Sequence, residues 1–272
     1  MHNNKQKAIN LFLEKMTEYS INDIVEIIEI HTGFTNQSFY LKMNDNEEFQ
    51  IRIGQNNDIV SRENEEQVLL CIDDKNYIFY DVQTGNAIKK WIKGKHVTEN
   101  EISEKFLANL LKKINQFHSH DFQKYKILRH NYYVFFNPAF LPKNHQEAYK
   151  KFVSQISDKN WVLSHNDLNL QNLLINEQDE IIFLDFEWSR INHPLWDIAN
   201  FIRESELDTK KIQFIANQLN IEYKELMQFV YICTNFAYQW TFSTSYDEKI
   251  SKYRKNTLIL MENYLDILNS ME

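Results

Sequence analysis

At 272 residues the chain is long enough for one large domain or two closely packed lobes. Hydrophobic residues make up 43% and aromatics 14%, which excludes a disordered chain. A formal charge of −8 excludes a nucleic-acid binder, because such proteins neutralise phosphates with clustered Lys and Arg. The two cysteines, Cys71 and Cys233, match no metal, redox or disulfide spacing, so a cytoplasmic address is expected. Residues 1–16 lack a signal-peptide pattern, and no apolar run approaches the roughly 20 residues of a membrane-spanning helix. All four glycines (Gly33, Gly54, Gly85, Gly94) fall in the first third, which points to a turn-rich β region there and a helical remainder.

Residues 4–18 carry an apolar stripe at helical spacing (Ala8, Ile9, Leu11, Phe12, Met16). Over residues 24–53 the pattern becomes strand-like. Phe39, Leu41 and Met43 alternate with polar residues, as do Phe49, Ile51 and Ile53, and the turn Asn44-Asp45-Asn46-Glu47 between them makes a hairpin. Residues 60–72 return to helical spacing, and strands at 77–82 and 87–92 flank a Thr84-Gly85-Asn86 turn. A connector, Lys93-Gly94-Lys95-His96, then leads to a long helix whose start is marked by the capping-box pair Thr98 and Glu101. Residues 122–144 show no period, 145–157 read as a helix, 161–187 as a hairpin region, and about 195–270 as a helical tail. The class is therefore α+β, with a small β-sheet lobe holding one helix (1–92), a larger mainly helical lobe (93–272) and a hinge about 91–96.

The residues His165-Asn166-Asp167-Leu168-Asn169-Leu170-Gln171-Asn172 fit H-x-D-x-x-x-x-N, the spacing of a kinase catalytic loop. An Asp must reach the acceptor hydroxyl while an Asn five residues on turns back toward a metal held on the phosphates. Apolar strands at 173–175 and 181–184, joined by Asn176-Glu177-Gln178-Asp179, then deliver Asp185-Phe186-Glu187, where kinases place the Asp that binds Mg²⁺. Ten acids against two arginines between Trp161 and Asp208 suit a site that gathers cations. In the first lobe Arg52 lies on the opposite sheet face from Ile51 and Ile53. It is the candidate phosphate-binding cation, with Glu65 (or Glu66) as its acidic partner. No G-x-G-x-x-G occurs; His31-Thr32-Gly33-Phe34-Thr35-Asn36 is the candidate phosphate-covering turn.

These segments resemble the choline/ethanolamine kinase family, within the wider aminoglycoside-phosphotransferase-like kinases. The resemblance rests on Gly33-Phe34-Thr35-Asn36, Ile51-Arg52-Ile53-Gly54, Arg62-Glu63-Asn64-Glu65, the loop 165–172, Leu184-Asp185-Phe186-Glu187-Trp188 and, most discriminating, 193–201 (HPLWDIANF). It implies a two-lobed protein-kinase-like fold and an enzyme that uses ATP and Mg²⁺ to phosphorylate choline. By the resemblance Asp167 is the base, with His165 and Asp197 positioning its loop. Asn172 and Asp185 hold Mg²⁺; Thr35, Asn36, Arg52 and Glu65 serve the phosphates; the backbone near Trp91 and Ile92 reads adenine. Glu187 supports the metal or substrate end.

A quaternary ammonium donates no hydrogen bonds and is held against aromatic faces. Trp188, Trp196, Tyr238, Trp240 and Tyr246 are the candidates, with Glu204 or Glu206 for charge. Where the family tends to place a second Trp, this chain has Thr241-Phe242-Ser243-Thr244-Ser245. Ethanolamine, thiamine and an aminoglycoside are the rival acceptors, and an ATP-binding pseudokinase the rival outside enzymes. Retention of Asp167, Asn172 and Asp185 opposes the last.

Overall fold

A computed structural model describes residues 2–30, 36–54, 60–244 and 247–271. The turn at 31–35, with Thr35, and the aromatic Tyr246 lie outside the described residues.

The chain opens with helix α1 (His2–Lys15) and strands β1 (Ile24–Ile30), β2 (Gln37–Met43) and β3 (Glu48–Ile53). Helix α2 (Arg62–Ile72) and strands β4 (Tyr77–Tyr80) and β5 (Ala87–Lys90) follow. The strands form one antiparallel sheet in the order β1-β2-β3-β5-β4. Period-two alternation gives this sheet two unlike faces. Phe39, Leu41, Met43, Phe49, Ile51 and Ile88 bury one face against Ala8 and Phe12 of α1. Completely burying a side chain such as Phe12 stabilises by roughly 2–3 kcal/mol. The opposite face, by the register Ser38↔Arg52, Gln50↔Lys89 and Tyr77↔Lys89, carries polar and cationic side chains.

A short strand β6 (Lys95–His96) leads into α3 (Glu104–His118). The Thr98–Glu101 capping box is present, but it closes a single 3-10 turn at Glu99–Glu101 and does not start the long helix. The chain leaves helical geometry at Ile102, which is buried, and α3 begins anew with Ser103 accepting from the Phe106 amide. Residues 122–144 hold two isolated 3-10 turns, Phe122–Lys124 and Pro138–Phe140. Then come α4 (Lys143–Val153), β7 (Val162–Ser164), β8 (Leu173–Ile175), β9 (Ile181–Phe183) and β10 (Arg190–Asn192).

The hairpin β8–β9 is as expected, but β7 does not join it. Strand β7 pairs with β10, and the second neighbour of β8 is β6. Both pairings bring the loop after β7 and the strand end after β9 side by side, which period and propensity alone do not encode. The helical remainder is α5 (Trp196–Glu204), α6 (Thr209–Leu219), α7 (Tyr223–Trp240) and α8 (Glu248–Asn269). It packs on α3 and α4 in one large core that also takes Val68 and Leu69 of α2. The α+β arrangement expected from the sequence is thus present. No helix among the described residues is long and apolar enough to cross a membrane.

Candidate active site

A cavity of about 1110 Å³ separates the polar face of the five-stranded sheet from the helical part. Asp167 and Asp185 stand in its middle wall.

The loop that carries Asp167 is held from below by one carboxylate. Asp197, in the first turn of α5, is fully buried and accepts four hydrogen bonds. Ser164 Oγ and the Asn166 amide, both at 2.8 Å, donate to its Oδ1. The His165 amide at 3.0 Å and His118 Nε2 at 2.9 Å converge on its Oδ2. Burial alone would raise the Asp197 carboxyl, but donation from His118 and from the loop amides holds it below the usual carboxylate range. Asn166 takes a left-handed φ of 65°, which Asn tolerates better than most residues. The Trp196 indole N–H donates to its carbonyl at 3.2 Å.

His165 is also fully buried, against Phe117, Phe183 and Phe186. Its Nε2 donates to the Leu184 carbonyl at 2.8 Å, which leaves Nδ1 as the acceptor facing the Asp167 amide at 3.4 Å. Burial pushes its pKa down. His165 therefore ties the loop to the strand end that carries Asp185, and it does not line the cavity.

Asp167 receives the Asn172 amide on Oδ2 at 3.0 Å and the Asn169 amide on Oδ1 at 3.3 Å. Burial, reinforced by the negative charges of Glu204 and Asp185, pushes its carboxyl up to about 8. Asn172 also donates to the Asp167 carbonyl at 2.8 Å, so its amide nitrogen is committed. Its side-chain oxygen and the Asp185 carboxylate accept no hydrogen bond among the described residues, and both residues line the cavity. Asp185 sits at φ 61°, and burial raises its carboxyl. Two unpaired hard oxygen donors on one wall fit Mg²⁺, which takes one or two carboxylates and completes its octahedron with water and phosphate oxygens. Among the described residues no cluster of three or more His, Cys, Asp and Glu forms a self-sufficient metal site.

On the sheet side Arg52 and Glu65 form the pair expected from the sequence, at 2.6 and 3.1 Å, while Arg52 Nε donates to the Gly85 carbonyl at 2.9 Å. Glu65 also accepts from Arg62 Nη1 at 3.0 Å and from the Tyr80 hydroxyl at 2.8 Å. Arg62 continues the chain of charges to Glu187 at 3.0 Å, and Asn36 bridges the same two residues, donating to Glu187 at 2.8 Å and accepting from Arg62 at 2.8 Å. Gly85 is required here: its φ is 73°, and a Cβ would lie 2.4 Å from Arg62 Nε. Glu187 is buried in this link between sheet and helical part. From sequence Arg62 stands only within the segment 62–65, with no site role; its i,i+3 spacing from Glu65 is the signal that could have assigned one. At the connector, Trp91 and Ile92 line the cavity, the Trp91 amide bonds the Glu48 carbonyl, and its ring meets Tyr40 edge-on at 4.9 Å.

At the far end Trp188, Trp240 and Tyr253 form a corner of perpendicular rings, with centroids 6.4 and 6.2 Å apart. The Tyr253 hydroxyl donates to Glu204 at 2.8 Å, and Arg203 lies 2.7 Å from the same carboxylate oxygen. Trp196 is only 2% exposed and is enclosed by His130, Tyr132 and Phe236, so it forms the floor beneath this end. Tyr238 packs on Phe242 and stays out of the cavity, as does the exposed Glu206. Tyr253, from α8, was missed because helical spacing alone does not say which helix closes the pocket.

Residues 139–265 match the choline/ethanolamine kinase family. An uncharacterised protein of Mycoplasma pneumoniae (MG356 homolog) is 29% identical over 261 residues, 93% of this chain and 90% of its own. The crystal structure of choline kinase LicA from Streptococcus pneumoniae superposes with a TM-score of 0.75 at 15% identity, covering 96% of this chain and 99% of LicA. A LicA structure in complex with AMP gives 0.73 at 13% identity, covering 95% and 99%.

Proposed function

We propose that the chain, whose residues 139–265 match the choline/ethanolamine kinase family, transfers the γ-phosphoryl group of ATP to the hydroxyl of choline, giving phosphocholine and ADP. The observation that carries this reading is the division of the cavity. A polar, cationic sheet face lies on one side of Asp167 and Asp185, and an aromatic corner backed by Glu204 lies on the other.

In this reading residues 1–92 and 93–272 act as two lobes about the connector at 91–96, with the nucleotide between them. The Trp91–Ile92 backbone meets the base. Arg52 keeps two of its five guanidinium N–H groups for phosphate oxygens, with Glu65 fixing its direction. Asn172 and Asp185 would hold Mg²⁺, which offsets the charge of the β- and γ-phosphates. The choline ammonium rests against Trp188, Trp240 and Tyr253, with Glu204 supplying charge.

Held this way, the hydroxyl donates to Asp167. As its oxygen bonds the γ-phosphorus and the bond to the β,γ-bridging oxygen breaks, Asp167 takes the proton and ADP leaves. Catalysis is mainly positioning and charge stabilisation. Two unpaired thiols, Cys71 and Cys233, suit a reducing cytoplasm.

The experiment is Mg²⁺-dependent ADP release with choline, ethanolamine, thiamine and kanamycin offered separately. Turnover preferring choline is expected. Turnover on thiamine or kanamycin alone would remove choline while leaving the kinase chemistry, and nucleotide binding without turnover on any acceptor would favour a non-catalytic protein.

A further inference from the structure

Among the described residues three cations are buried at the polar face of the sheet, and two of them are in contact with acids. Arg52 and Arg62 are paired with Glu65 and Glu187. Lys89, on β5, is the charge left over. The register Gln50↔Lys89, beside Arg52↔Ala87, places it on the face that carries Arg52 and one step nearer the connector at Trp91. It is 8% exposed, lines the cavity, and has its ammonium 5.0 Å over the Tyr77 ring. Among the described residues no carboxylate lies within ion-pair distance of it and no acceptor is hydrogen-bonded to it.

Burying an ammonium that touches no carboxylate and no acceptor is costly in general. Burial and the neighbouring Arg52 push the Lys89 pKa down, against the charges of Asp185, Asp74 and Glu65, none of which touches it. A Met of similar length at this position would pack against Tyr77 without that cost, so folding alone gives no reason for a lysine here. An acceptor arriving in the cavity does.

We propose that Lys89 is a second nucleotide-directed cation of the sheet face, whose ammonium binds an acceptor oxygen of the purine nucleotide. The inference rests on the kinase reading above and adds a residue to it. The acceptor oxygen has two sources, since Lys89 lies between the level of Arg52 and the connector that meets the base. One is a phosphate oxygen. The other is the 6-carbonyl of guanine, which accepts where the amino group of adenine cannot.

Calorimetric titration of the wild-type chain and of Lys89→Met, Lys89→Gln and Lys89→Arg with adenosine, Mg·ADP and Mg·GDP tests this. The expected result is a loss of roughly ten- to a hundredfold in diphosphate affinity for Lys89→Met and Lys89→Gln, the worth of one charge-assisted hydrogen bond. Lys89→Arg should retain most of the affinity, and the melting temperature of Lys89→Met should equal or exceed that of wild type. A merely structural lysine would give the opposite pairing, with stability lost and affinity kept. Equal losses for ADP and GDP with adenosine unchanged assign the oxygen to phosphate; a loss confined to GDP assigns it to the base carbonyl. Unchanged affinity for both diphosphates in Lys89→Met and Lys89→Gln overturns the inference and leaves the kinase reading standing. Failure of the wild-type chain to bind either diphosphate overturns both.

Discussion

Asp197 is the best place to separate the scaffold of the Asp167 loop from the chemistry proposed for it. In Asp197→Asn the side chain keeps its size, but one of its two oxygens becomes an NH₂ group. If the NH₂ group takes the place of Oδ1, it faces the Asn166 amide; if it takes the place of Oδ2, it faces the His165 amide. Ser164 and His118 can reorient to accept, whereas a backbone N–H cannot. One buried loop amide is therefore orphaned in either orientation, at about 1–3 kcal/mol, and the surviving bonds lose their charge assistance, roughly 1 kcal/mol more. Relief of carboxylate burial returns part of this, leaving a net destabilisation of about 2–4 kcal/mol. For a chain of this size that lowers the melting temperature by roughly 5–15 °C. Thermal unfolding followed by circular dichroism measures the shift. Turnover should fall with it, because Asp167 loses its anchored neighbours, while Mg·ADP affinity should fall far less, since the Arg52–Glu65 pair does not touch Asp197. A midpoint within about one degree of wild type, or equal losses of nucleotide affinity and turnover, would refute the bracing argument.

Other perturbations test other parts of the site. Asp167→Asn should reduce turnover at least a thousandfold, as an order-of-magnitude expectation for a lost base plus mispositioned acceptor, while Mg·ADP titration stays near wild type; near-normal turnover would misassign the base. Asp185→Ala should instead weaken Mg·ADP with little effect on adenosine. Trp240→Leu should raise the choline KM by roughly three- to thirtyfold, the range of one cation–π contact, and Tyr253→Phe should raise it less, by removing one of the two groups that hold Glu204; an unchanged KM in both would move choline elsewhere. His130 is enclosed by Tyr132, Trp196 and Phe236, and burial, with Arg190 nearby, pushes its pKa down to about 3. A depressed histidine contributes stability that is complete above its unfolded value near 6.5 and is lost as pH falls from there toward 3. In urea titrations between pH 7 and 4, His130→Phe should lose stability less steeply than wild type, by up to about 1.4 kcal/mol per pH unit. Parallel slopes would show that His130 titrates normally.

Local chemistry fixed by residue type and spacing was legible in the sequence. The five-residue interval from Asp167 to Asn172 forces the Asn back onto the Asp, and the turn at 176–179 delivers Asp185 from β9. Alternation in β3 put Arg52 on the polar face, and Glu65 met it from the next helix. These outcomes depend on bond geometry and period, which are properties of short stretches. Contacts between distant segments were decided only by the tertiary structure. Residues 24 and 43 pair in one sheet, yet β7 reaches past a true hairpin to β10, and Tyr253 arrives at Trp240 from a separate helix. The Thr98–Glu101 pair kept its capping geometry but closed a smaller turn, because burial of Ile102 interrupted the helix. Nothing in the local sequence distinguishes Lys89; only the register sets it beside Arg52, with no carboxylate in contact with it among the described residues. Charge balance inside a cavity is a property of everything that surrounds it, and no window of the chain contains that information.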